Sequence, residues 1–251
     1  FYDVTLRRMA APWTNREQNL FVPLNDYIAT VVGMVRDNRD FRELLYGDYL
    51  YVGEASGLPA YSVSDNRHYE ELEARGLSLK QVLSPQPQTS LNGLPAEAIA
   101  GVMTSRAAAQ SFFIAGTNRA MFRFTLMSQL CRDLEQISDT TRTPDRIRQD
   151  VSRSPGGDSR VFLNNCIGCH AGMDPLAQAF AYYNFSYDRD NDPLGANGRL
   201  TYNAAGQLDP ATASRVVAKY HINSNSFAPG YITPDDRWDH YWRAGRGPLL
   251  G

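Results

Sequence analysis

Five consecutive residues carry the most pointed chemistry in this 251-residue chain, Cys166-Ile167-Gly168-Cys169-His170. Two thiols three positions apart on one helical turn can both add to the vinyl groups of a single porphyrin, and the next residue offers an imidazole to the iron. The pattern C-x-x-C-H therefore predicts one covalent haem c, with Cys166 and Cys169 as thioether donors and His170 as the proximal iron ligand. The competing readings are a zinc site, a redox dithiol and a chance match. A zinc site needs four ligands, and no second C-x-x-C or paired histidine lies at the usual spacing. A thioredoxin-type dithiol wants a preceding strand in a βαβ unit, whereas Asp158 to Asn165 reads as helical. Downstream, Met173-Asp174-Pro175-Leu176 places a proline just past the histidine, where a backbone carbonyl is expected to fix the imidazole Nδ1–H.

The sixth ligand separates electron transfer from catalysis. No methionine follows Met173, and Met173 is too near His170 in sequence to reach the opposite face of the ring. His68 is ranked first, His221 second and Met103 or Met121 third; His240, Met34 and Met127 complete the set. A closed iron suits electron transfer, and an open one suits peroxide or O₂ chemistry with an arginine polarising the O–O bond. Arg119, Arg123, Arg243 and Arg246 are the candidates for that arginine, with propionate pairing or surface charge as the plainer roles. Asp188-Arg189-Asp190-Asn191-Asp192 has calcium-like carboxylate spacing, but glycine falls at Gly195 and Arg199 replaces a closing glutamate, so a solvated acidic turn is expected.

The elements that must position these groups read as mainly helical. Thr14 or Asn15 can cap a first helix, Pro23 interrupts it, and Tyr27, Ile28, Val31, Val32 and Val35 continue the apolar period to Asn38. Asp40 to Leu45 is an amphipathic turn, and Ser64 to Gly76 is a capped helix. Leu83 to Pro95 reads as a loop and as the internal boundary. Pro95 to Ala115, Asn118 to Gln136, a segment opened by Thr143-Pro144-Asp145, and Asp174 to Tyr183 follow as helices. Cys131 falls on the apolar period of the second of these and is expected to be a buried free thiol. The organisation predicted is an N-terminal helical region 1–90, a motif-bearing helical region 91–185, and an irregular, turn-rich extension 186–251 with at most short strands, such as Arg215 to Tyr220.

Composition sets the bounds. A hydrophobic content of 43% and a charged content of 21% suit a globular chain with a real core. A net charge of -2 gives no nucleic-acid footprint. No apolar run approaches the roughly 20 residues of a membrane span; Ala96 to Ala115 is broken by Glu97, Arg106 and Gln110. Lysine occurs only at Lys80 and Lys219, so a lysine-rich docking face is excluded.

Asp40-Phe41-Arg42-Glu43-Leu44-Leu45, Asp48-Tyr49-Leu50-Tyr51-Val52, Thr104-Ser105-Arg106, Cys131 and the run Cys166 to Leu176 together resemble planctomycete-type cytochrome c domains of unknown function. The similarity covers roughly residues 35 to 185 and is specific only at the C-x-x-C-H-x-x-M-D-P-L segment. It implies an exported c-type cytochrome, and the tail after Leu176 departs from it. The expectation is thus a periplasmic or extracellular monohaem electron carrier, its signal peptide lying outside these residues. Its partners would be redox proteins, with a homo-oligomer or larger cytochrome assembly compatible with that role. The alternatives are a haem peroxidase or oxygenase, and a haem-stabilised accessory subunit.

Overall fold

A computed structural model describes residues 1–113, 119–141, 147, 151–152, 154–210, 212–216, 234–240 and 249–250. The described chain is mainly α-helical, as the periodicity predicts, with short strands paired two by two. It forms two compact units. The first comprises Phe1–Ile114 and Asn184–Tyr202, the second Ala115–Tyr183 and Asn203–Gly251. Where a loop is expected from Leu83 to Pro95, Leu83–Gln86 is a strand and Gln88–Asn92 a short helix, both within the first unit.

In the first unit the chain leaves Pro23 extended, and the Asn25 side chain accepts the Ile28 N–H to open α1 (Asp26–Arg36). The helix thus starts after the proline break, with Asn25 rather than Thr14 or Asn15 as its cap. Tyr27, Ile28, Val31, Val32 and Met34 of α1 are all fully buried. Each such apolar side chain removed from water contributes about 1.5–3 kcal/mol before chain entropy is counted. The Tyr51 ring lies directly against Gly33, where a Cβ would overlap it, so strand β1 (Leu50–Gly53) packs close to α1. β1 pairs antiparallel with β2 (Leu83–Gln86), Leu50 opposite Gln86 and Gly53 opposite Leu83. Between them α2 (Arg67–Ala74) ends just before Gly76, whose φ of +58° is the left-handed stop that glycine adopts at least cost. Ser105 caps α3 (Arg106–Phe112), and β3 (Tyr183–Ser186) pairs with β4 (Arg199–Tyr202).

In the second unit α4 (Arg119–Leu130) stops at Cys131, and Asp133 with Gln136 forms a reciprocal capping box on the turn Leu134–Ile137. Cys131 is not buried. It is exposed and left-handed at φ +51°, because the helix ends one residue before it. Asp158 caps a single turn, Ser159–Val161, which runs through the wide turn Phe162–Cys166 into α5 (Ile167–Leu176). α5 is continuous through Asp174 and Pro175. The proline lacks an N–H, so the regular ladder gives way to the tighter turn Ala177–Phe180. Strands β5 (Asp239–His240) and β6 (Leu249–Leu250) pair antiparallel. Most of the segment opened by Thr143-Pro144 and residues 217–220 of the strand expected from Arg215 lie outside the described residues, and Arg215 and Val216 form a bend rather than a strand.

Candidate functional site

α5 carries the whole motif. Cys166 is its N-terminal cap residue, and Gly168, Cys169 and His170 lie in its first turns. The glycine has a packing reason: a Cβ there would overlap the Ser138 hydroxyl and meet Asp139 N at 3.3 Å. The Asp139 N–H also donates to the Gly168 carbonyl at 3.2 Å, so segment 138–140 is laid directly across the motif.

The two thiols are free, half-buried and differently surrounded. Cys169 packs against the cluster of Phe122, Leu126, Leu134 and Met173, and Cys166 against the cluster of Ile147, Phe162 and Ile167. Burial pushes the Cys169 thiol above its ordinary pKa, opposed by a hydrogen bond with Ser138. Among the described residues no group of three or more His, Cys, Asp and Glu is arranged to hold a bare metal ion.

His170 is held from behind. Its Nδ1 lies 3.0 Å from Oδ1 of Asp174, one helical turn further along α5, and that carboxylate is fully buried. The same Oδ1 accepts from Arg119 Nε at 2.7 Å, where α4 begins. Burial raises the Asp174 pKa, but the hydrogen bond from His170 and the charge of Arg119 outweigh it and hold the carboxyl below the usual range. An ionised carboxylate only accepts, so Nδ1 carries a proton and donates to it, and of the two ring nitrogens only Nε2 could offer a lone pair. The partner of Nδ1 is thus a carboxylate, not the backbone carbonyl expected near Pro175. Asp174 and Arg119 were not singled out for this role, although the i, i+4 spacing of His170 and Asp174 signals it.

No match was found among family models, curated proteins or solved structures.

The sixth-ligand candidates divide. His68 is buried in the first unit with both ring nitrogens engaged: Nε2 accepts the Gly53 N–H at 2.9 Å, and Nδ1 faces the Pro59 carbonyl at 2.7 Å. A carbonyl only accepts, so Nδ1 donates and the Nε2 lone pair is spent on Gly53. In this arrangement both ring nitrogens of His68 are engaged by backbone groups of the first unit. Met34 and Met103 are core residues of the same unit. Met121 and Met127 lie on α4, in the unit that holds His170; Met121 is fully buried and Met127 half-buried. His221 and the side chain of His240 lie outside the described residues.

Of the candidate arginines, Arg119 is bonded to Asp174, and Arg123 makes a two-point pair with Asp133 at 2.8 and 2.7 Å. Arg243 and Arg246 lie outside the described residues. In the acidic loop, Asp188 accepts from the Asp190 and Asn191 backbones and Asp192 from those of Ala196 and Asn197, so both carboxylates close their own turns.

Proposed function

We propose that this chain is an exported c-type cytochrome that carries one covalent haem and passes single electrons between redox proteins in the periplasm or outside the cell. The observation that carries this reading is the buried Asp174 behind His170, on the helix that also bears Cys166 and Cys169. A histidine that is a metal ligand almost always donates its other ring N–H to a carboxylate, carbonyl or water, which fixes tautomer and ring orientation. A surface histidine gains little from a fully buried carboxylate, whose burial needs compensation.

When bound, haem c supplies a one-electron Fe(III)/Fe(II) couple. The chain's own residues divide the remaining work. Cys166 and Cys169 would hold the macrocycle covalently, and His170 would present Nε2 to its centre. Phe122, Leu126, Leu134 and Met173 form the apolar cluster beside Cys169.

The test is the intact mass of the full chain after export in a host that matures c-type cytochromes, measured under denaturing conditions. The expected result is a mass higher by one haem, lost in Cys166→Ser with Cys169→Ser. No added mass, or a mass lower by two hydrogens from a Cys166–Cys169 disulfide, overturns the reading. The ferric spectrum then separates carrier from enzyme: low-spin iron is expected, and high-spin iron that binds cyanide readily would favour the peroxidase or oxygenase alternative.

A further inference from the structure

The arrangement around Asp174 carries more than orientation. One carboxylate oxygen, Oδ1, serves two donors, His170 Nδ1 at 3.0 Å and Arg119 Nε at 2.7 Å. The carboxylate is fully buried and the Arg119 side chain is 17% exposed, so the two interactions act in a medium of low effective dielectric. They also oppose each other. A carboxylate drawing on Nδ1–H builds electron density on Nε2 and makes the imidazole a stronger donor. A guanidinium on the same oxygen withdraws density from that bond.

We propose that Asp174 and Arg119 are an opposed pair of positioning residues that set the reduction potential of the iron through His170. Asp174 lowers the potential by favouring the ferric state, and Arg119 restrains it. The inference rests on the haem reading above. The equilibrium concerned adds one electron to ferric iron from a soluble redox mediator and leaves both thioether bonds and the His170 bond in place. The pair makes a prediction that packing alone does not: removing either partner loosens the same contact, yet the two removals shift the potential in opposite directions.

The experiment is a mediated optical redox titration of the haem-loaded full chain, comparing wild type with Asp174→Asn, Arg119→Gln and Arg119→Lys. Asp174→Asn is expected to raise the potential by about tenfold in the one-electron equilibrium constant, about 59 mV. Arg119→Gln is expected to lower it, and Arg119→Lys, which keeps the charge, to stay nearer wild type. Because the pair is buried, both shifts should persist when ionic strength is raised. Shifts of the same sign, or none in either variant, overturn the proposal while leaving haem attachment standing. A wild-type chain without covalent haem overturns both, and the mass measurement tells these failures apart. Should Asp174→Asn fail to fold, the two Arg119 variants decide it: no downward shift in Arg119→Gln relative to Arg119→Lys refutes it.

Discussion

The backbone N–H of Gly53 donates to Nε2 of His68 at 2.9 Å. Gly53 ends β1 opposite Leu83, so a histidine from α2 completes the hydrogen bonding of a strand end. The ring stands edge-on to Tyr69, with centroids 4.8 Å apart. Its loss strands the Gly53 N–H and the Pro59 carbonyl and leaves a cavity. His68→Ala is expected to cost about 2–4 kcal/mol of unfolding free energy, with the ferric spectrum of the loaded protein unchanged. Denaturant unfolding and optical spectra check the two halves. A low-spin spectrum that turns high-spin in the variant would put His68 back at the iron.

Which parts of this were legible in the sequence follows from what decides each of them. α1 and α2 were readable because apolar spacing and breakers are local: Tyr27, Ile28, Val31 and Val32 mark the first, and Gly76 stops the second. β2 was not, since Leu83-Ser84-Pro85-Gln86 has the composition of a turn and becomes a strand only by pairing with β1. Cys131 fell on the right side of an apolar period but one residue past its helix, which reverses its exposure. At the site, the thiols and the histidine are a local motif, and Asp174 was visible as an i, i+4 partner once α5 is known to be unbroken. Arg119 reaches Asp174 across 55 residues, and nothing near it in sequence announces that.

Asp26 ties α1 to the start of α3. Its Oδ1 accepts the Tyr27 and Ala107 N–H groups and its Oδ2 the Arg106 N–H and the Tyr61 hydroxyl. Asp26→Ala leaves those donors unpaired and is expected to cost about 2–5 kcal/mol; Asp26→Asn, which keeps one acceptor oxygen, should cost less. Burial raises the Asp26 pKa above 3.8, against the lowering effect of the Ala107 and Arg106 hydrogen bonds. The folded state therefore holds the proton more tightly than the unfolded chain. This contribution to stability is complete below pH 3.8 and is lost as pH rises through the folded pKa. Urea unfolding from pH 3.5 upward should show that falling contribution in wild type and not in Asp26→Asn. Parallel pH profiles would refute it.

Cys131 is an exposed thiol in a left-handed conformation, φ +51°. A residue with a Cβ pays about 1–2 kcal/mol there, and glycine recovers most of this at some cost in unfolded-state entropy. Cys131→Gly is expected to raise stability by about 0.5–1 kcal/mol. The same exposure makes Cys131 the thiol that a reagent reaches in the folded, haem-loaded protein. Native titration should count one reactive thiol, abolished in Cys131→Ser. Two further thiols reacting would mean that Cys166 and Cys169 carry no thioether bonds.

Gly168 is bound by contact, not by backbone angle. A Cβ at this position would overlap the Ser138 hydroxyl and sit 3.2 Å from Thr140 Cγ2. The hydroxyl can turn away, but the Asp139 N–H is bonded to the Gly168 carbonyl, so segment 138–140 has little freedom to retreat. Gly168→Ala is expected to destabilise the chain by about 1–3 kcal/mol. If the Ser138 contact is the cause, Ser138→Ala should recover part of that loss when the two are combined. Thermal or denaturant unfolding of both single variants and the double variant gives the coupling energy directly. A double variant equal to the sum of the singles would show that the glycine is required by something other than the segment laid across it.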